Sequence, residues 1–129
     1  MGVKVFRLDR AKIMVNLKRF AEELGERKEV LGVVLFGSLA RGEATIASDA
    51  DLLILLKDSP LRFDERIPYY LPSGIGIGVE VFPYTLEEAK EALTEGKGNL
   101  VETALNQGTI LYEKKNCFSL LHREKTYLP

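Results

Sequence analysis

A single cysteine, Cys117, stands in 129 residues, so no internal disulfide forms and no cysteine-built zinc site can be assembled. The one histidine, His122, has no second histidine to help it hold a metal. An excess of either charge is also missing: 18 basic against 19 acidic residues leave a net charge of -1, with no basic stripe to neutralise a run of phosphates. A long nucleic-acid substrate is thereby disfavoured. No stretch approaches the ~20 apolar residues that span a bilayer, and the N-terminus carries no secretory core, which predicts a soluble cytoplasmic protein. The Gly-x-x-x-x-Gly-Lys-Ser/Thr loop of Walker-type NTPases is absent. Gly74-Ile75-Gly76-Ile77-Gly78 suggests a dinucleotide loop, but its glycines precede a strand pattern and open no helix.

What is present is a core. Hydrophobic residues make up 46% of the chain, enough for one compact domain. Ile13, Leu17, Phe20, Ala21 and Leu24 recur at three- and four-residue steps, which predicts an amphipathic helix from Leu8 to about Lys28. Val30 to Phe36 and Leu52 to Leu56 are apolar runs of strand length. Leu61 to Ser73 reads as a connecting excursion, and Gly74 to Phe82 as a third strand with Glu80 in its middle. Thr85-Leu86-Glu87-Glu88 has capping-box spacing and starts a helix to about Glu95. Asn99 to Gln107 forms another helix, closed by Gly108, and Thr109 to Tyr112 a last strand. The tail from Glu113 mixes Lys114, Lys115, Arg123 and Lys125 with Phe118, Leu120 and Leu121, and docks on a partner or on the domain itself.

Three features carry chemistry. Gly37-Ser38 follows a buried strand and turns toward a helix, where free backbone N–H groups suit phosphate oxygens. Asp49-Ala50-Asp51 enters the next strand, and a side-chain period of two sends both carboxylates to one side. Glu80 supplies a third acid. Converging carboxylates repel one another without a counter-charge, which points to bound magnesium, held by a few carboxylates plus the substrate's own phosphates. Each feature has a plainer reading. Gly-Ser is a common turn, Ser48-Asp49 a possible cap pair, and Glu80 an acid facing solvent on an edge. Their joint occurrence at fixed spacing favours a nucleotide site.

The string Gly-Ser-Leu-Ala-Arg-Gly-Glu-Ala-Thr-Ile-Ala-Ser-Asp-Ala-Asp-Leu-Leu resembles the Gly-Ser then Asp-x-Asp motif of the polymerase-β-like nucleotidyltransferase superfamily. Ten residues between Ser38 and Asp49 match its minimal nucleotidyltransferase (MNT) branch. The resemblance implies an α/β (α+β) fold, a short mixed sheet with helices packed on one face, over residues 1–112, with 113–129 as a C-terminal tail. It implies that Gly37 and Ser38 bind the triphosphate, with Arg41 supporting the loop or touching phosphate. Asp49, Asp51 and Glu80 would hold two Mg2+ ions. Glu80 departs from the commoner aspartate. The branch implies transfer of AMP from ATP to a hydroxyl, a tyrosine of a HEPN-family toxin in a toxin–antitoxin pair. Two rivals stand beside it: transfer to a small molecule, and a catalytically silent nucleotide-binding or partner-occluding module.

Overall fold

Two apolar strands at the centre set the architecture. Val30–Phe36 (β1) and Ala50–Leu56 (β2) run antiparallel and are buried at nearly every position, so both of their faces demand cover. The computed structural model describes residues 9–37, 50–95 and 99–121. Val79–Thr85 (β3) lies parallel to β2, and Thr109–Glu113 (β4) antiparallel to β1, giving a four-stranded mixed sheet in the order β3-β2-β1-β4.

Alternation along the strands divides the core in two. On one face Val33, Leu35, Leu52, Ile54 and Val81 meet Ile13, Leu17, Ala21 and Leu24 of the helix Arg10–Leu24 (α1), which begins where the Asp9 side chain accepts from Lys12 N at 3.1 Å. On the other, Val34, Phe36, Leu53 and Leu55 meet Ala89 and Leu93 of Leu86–Thr94 (α3) and Val101 and Ala104 of Leu100–Gln107 (α4). The mixed sheet with helices is as expected from the sequence. The helices, however, cover both faces rather than one, because β1 and β2 have no polar face to leave in water. Among the described residues no helix is long and apolar enough to cross a membrane.

Two connecting segments differ from the sequence reading. β3 begins at Val79 and not at Gly74, because Gly74 and Gly76 sit at φ +72° and +109°, outside any pleated strand. The excursion after β2 contains a helical turn, Phe63–Arg66 (α2), followed by a 3-10 turn at Ile67–Tyr69. Arg66 explains both turns. Its side chain is buried and makes four hydrogen bonds: Nε donates to Leu61 O at 2.9 Å, Nη1 to Pro83 O at 2.9 Å, and Nη1 and Nη2 to the two oxygens of Glu88 at 2.7 and 2.9 Å. Glu88 is also the capping-box acid of α3, accepting from Thr85 N at 3.0 Å while its own N–H donates to Thr85 Oγ1 at 3.2 Å. One ion pair thus ties α2, β3 and α3 together. Nearby, the buried Tyr70 hydroxyl donates to Glu29 at 2.8 Å under the guanidinium of Arg27, and burial pushes its pKa up to about 12.

Past β4 the chain turns back. Cys117, Phe118 and Leu121 are buried against the α3/α4 core, and the Cys117 thiol donates to Leu31 O at 3.4 Å. Burial pushes that thiol up to about 11, so it packs as a small apolar group. Residues 122–129, with His122, lie outside the described residues.

Bonding to Arg66 holds the Glu88 carboxyl down to about 2 from 4.5. Its contribution to stability is therefore complete above pH 4.5 and fades as pH falls toward 2. Glu88→Ala would leave the Arg66 guanidinium buried without its counter-charge; because Glu88 is itself partly exposed and screened by water, urea unfolding at pH 7 is expected to show a loss of about 1–3 kcal/mol. At pH 2.5 the difference between the variant and the parent chain is expected to shrink.

Candidate active site

The end of the sheet where β1 finishes and β2 and β3 begin carries the polar residues. Gly37 closes β1 at φ +83°, a conformation that a side-chain-bearing residue rarely adopts. A Cβ at Gly37 would collide with Asp51 Oδ2, so the Asp51 carboxylate is seated against the bare α-carbon of Gly37. Asp51 itself is level with Phe36 on one side and with Glu80 on the other.

Register brings the two acids together. In the parallel β2–β3 pair, residues in register project to the same face, so Asp51 and Glu80 stand side by side on strands about 4.8 Å apart. The face is that of α3 and α4, since Leu53 and Leu55, two and four positions on from Asp51, belong to that core. Ala50 N donates to Gly78 O at 2.9 Å, which locks the register at the very start of both strands. Asp51 is partly buried and Glu80 exposed on an edge strand. Glu80 therefore faces solvent on an edge strand, and it stands in register with Asp51.

Ser38, Arg41 and Asp49 lie outside the described residues. Among the described residues no three acidic, histidine or cysteine side chains converge as a metal-binding group. Asp51 and Glu80 nevertheless fit a hard divalent cation: two carboxylates in register at the end of the sheet, one of them exposed, suit magnesium, which keeps several waters and uses few protein ligands. The cavity of about 370 Å³ between α1 and residues 71–75 lies on the other face of the sheet and contains none of these residues.

Comparison with known proteins identifies the family. Residues 17–120 match the model of the nucleotidyltransferase domain family. A bifunctional uridylyltransferase/uridylyl-removing enzyme of Burkholderia thailandensis is 31% identical over 115 residues, covering 84% of this chain. The chain spans 13% of that relative's length. Among solved structures, a toxin–antitoxin complex with AMP-PNP superposes with a TM-score of 0.55 at 20% identity, covering 92% of this chain and 85% of that one. A mutant of the toxin–antitoxin MntA-HpeT gives 0.53 at 17% identity, with 92% and 84% covered. At such identities the likeness shows a shared fold.

Gly37→Ala tests the seat of the carboxylate. The positive φ alone costs an alanine about 1–2 kcal/mol, and the added methyl must also displace Asp51. Chemical unfolding is expected to register at least the backbone cost, and binding of Mg2+ with a nucleoside triphosphate, followed by calorimetry, is expected to weaken.

Proposed function

The chain belongs to the nucleotidyltransferase domain family, and on that premise we propose that it transfers a nucleoside monophosphate, AMP from ATP, to a hydroxyl of a protein partner. The observation that carries the proposal is the pairing of Asp51 with Glu80 beside the open Gly37 turn, at one end of the sheet.

Each residue has a task in this reading. Backbone N–H groups at Gly37 and the hydroxyl of Ser38 take the oxygens of the triphosphate, and Arg41 supports them. Asp49, Asp51 and Glu80 would hold the Mg2+ ions that the reaction calls for. Bound there, magnesium supplies a lowered pKa for the attacking hydroxyl and neutralises charge on the α-phosphate and the pyrophosphate. The acceptor oxygen bonds to the α-phosphorus as the bond to pyrophosphate breaks. Position then does most of the remaining work, since an in-line displacement needs three groups aligned and little else from the protein.

Charge and resemblance support a protein acceptor. Near-neutral net charge speaks against nucleic acid. The toxin–antitoxin proteins of the same fold support a protein partner. The resemblance to the MNT branch adds the finer reading: a tyrosine of a HEPN-family toxin is the acceptor, the transfer silences it, and this chain acts as the antitoxin in the cytoplasm. A second reading, UMP in place of AMP, is favoured by the identity to a uridylyltransferase.

Purified protein, Mg2+ and each of the four α-labelled NTPs, with the candidate partner, distinguish these readings on a denaturing gel. Label on the partner from ATP, and none from γ-labelled ATP, is the expected result; label from UTP alone would select the second reading. Asp51→Asn and Glu80→Gln are each expected to lower transfer about 100-fold or more with the fold retained. Full neutralisation of the partner by Asp49→Ala/Asp51→Ala would instead make occlusion the mechanism.

A further inference from the structure

On the face that carries Asp51 and Glu80, Phe36 of β1 is level with Asp51, and Phe82 of β3 is level with Leu53. Two strand spacings, about 9.6 Å, separate β1 from β3, yet the two ring centroids are 5.8 Å apart at an interplanar angle of 50°. The rings therefore lean toward each other across β2, between Asp51 and Leu53. Behind this bridge Leu53 and Leu55 are wholly buried with Ala89 and Leu93. In front of it Asp51 is partly buried and Glu80 exposed.

The bridge stands on a boundary of chemistry. A carboxylate swinging back toward Leu53 and Leu55 would leave water for a region of hydrocarbon, a cost that only new hydrogen bonds could offset. Rings that bridge β1 and β3 on this face would obstruct such a swing. On its other side the carboxylate rests on Gly37, where no Cβ intervenes. Restricting a short side chain from two directions is how a ligand group is held ready before its ion arrives.

We infer that Phe36 and Phe82 are positioning residues, a ring bridge over β2 that fixes the Asp51 carboxylate toward the open end of the sheet. The inference rests on the metal-dependent reading above for what Asp51 holds. Where Asp51 points is an independent matter, and the experiment separates the two.

Phe82→Leu keeps much of the apolar volume but cannot reach across β2, whereas Phe82→Tyr keeps the ring. Leu93→Ala, in the same core and away from Asp51, controls for lost stability. Two quantities are measured on the full chain: the χ1 population of Asp51 in metal-free protein, from three-bond NMR couplings, and the affinity for Mn2+ in the presence of ATP, from the paramagnetic signal of the free ion. The parent chain, Phe82→Tyr and Leu93→Ala are expected to show one dominant Asp51 rotamer. Phe82→Leu is expected to show averaging, with Mn2+ affinity lowered about tenfold. A single rotamer and unchanged affinity in Phe82→Leu, or equal averaging in Leu93→Ala, would reduce the ring pair to core packing and overturn the inference. If the parent chain binds no Mn2+, the metal reading falls, and the rotamer comparison alone decides the positioning role by the same criteria.

Discussion

Register across three strands is the constraint on which the site depends. Phe36, Asp51 and Glu80 stand level because β1 pairs antiparallel and β2 parallel with its neighbour, and a one-residue slip in either ladder would send Asp51 or its partner to the α1 face. Hydrophobic burial holds that register. Each of the two central strands loses its match with both cores at once if it moves, since Leu53 and Leu55 serve one layer while Leu52, Ile54 and Leu56 serve the other. The acids at the strand ends are placed by apolar residues further along the same strands.

This division of labour accounts for the position of the polar groups. They occupy strand termini, where water reaches them and the sheet has run out of apolar neighbours, while β2 supplies stability a few residues away. Gly37 contributes by lacking a side chain: it turns the chain at positive φ and lets a carboxylate sit against it. On the proposed reading, a site built in this way would ask for little conformational change on binding, because Gly37, Asp51 and Glu80 meet at the end of one sheet.

Much of this was legible in the sequence, for identifiable physical reasons. The apolar runs of β1 and β2, the capping box at Thr85 and the helix from Asn99 to Gln107 closed by Gly108 are local signals, and they mark elements at nearly the observed boundaries. The link to nucleotidyl transfer was legible because Gly-Ser and Asp-x-Asp lie close together in the chain. Non-local pairings were not. No pattern around Arg66 announces a buried cation, because its partners are backbone carbonyls and an acid on another helix. Alternating glycine and isoleucine at residues 74–78 imitates a strand, and only the backbone angles show otherwise. Helices on both faces could have been expected from the unbroken apolarity of β1 and β2. The contact of Phe36 with Phe82 needs both ladders to be known first.

The hydrogen bond from Arg66 to the Pro83 carbonyl has a further meaning at the boundary of the sheet. Within a strand the nitrogen and the carbonyl of one residue point the same way, so the side of β3 that faces Arg66 is also the side on which proline has no hydrogen to give. The outer margin of β3 is thereby closed at this point: its acceptor is taken and its donor never existed. A sheet with apolar strands at its heart would otherwise invite another chain to add a strand there. By blunting this margin, Arg66 and Pro83 help to keep the molecule from polymerising through its own backbone.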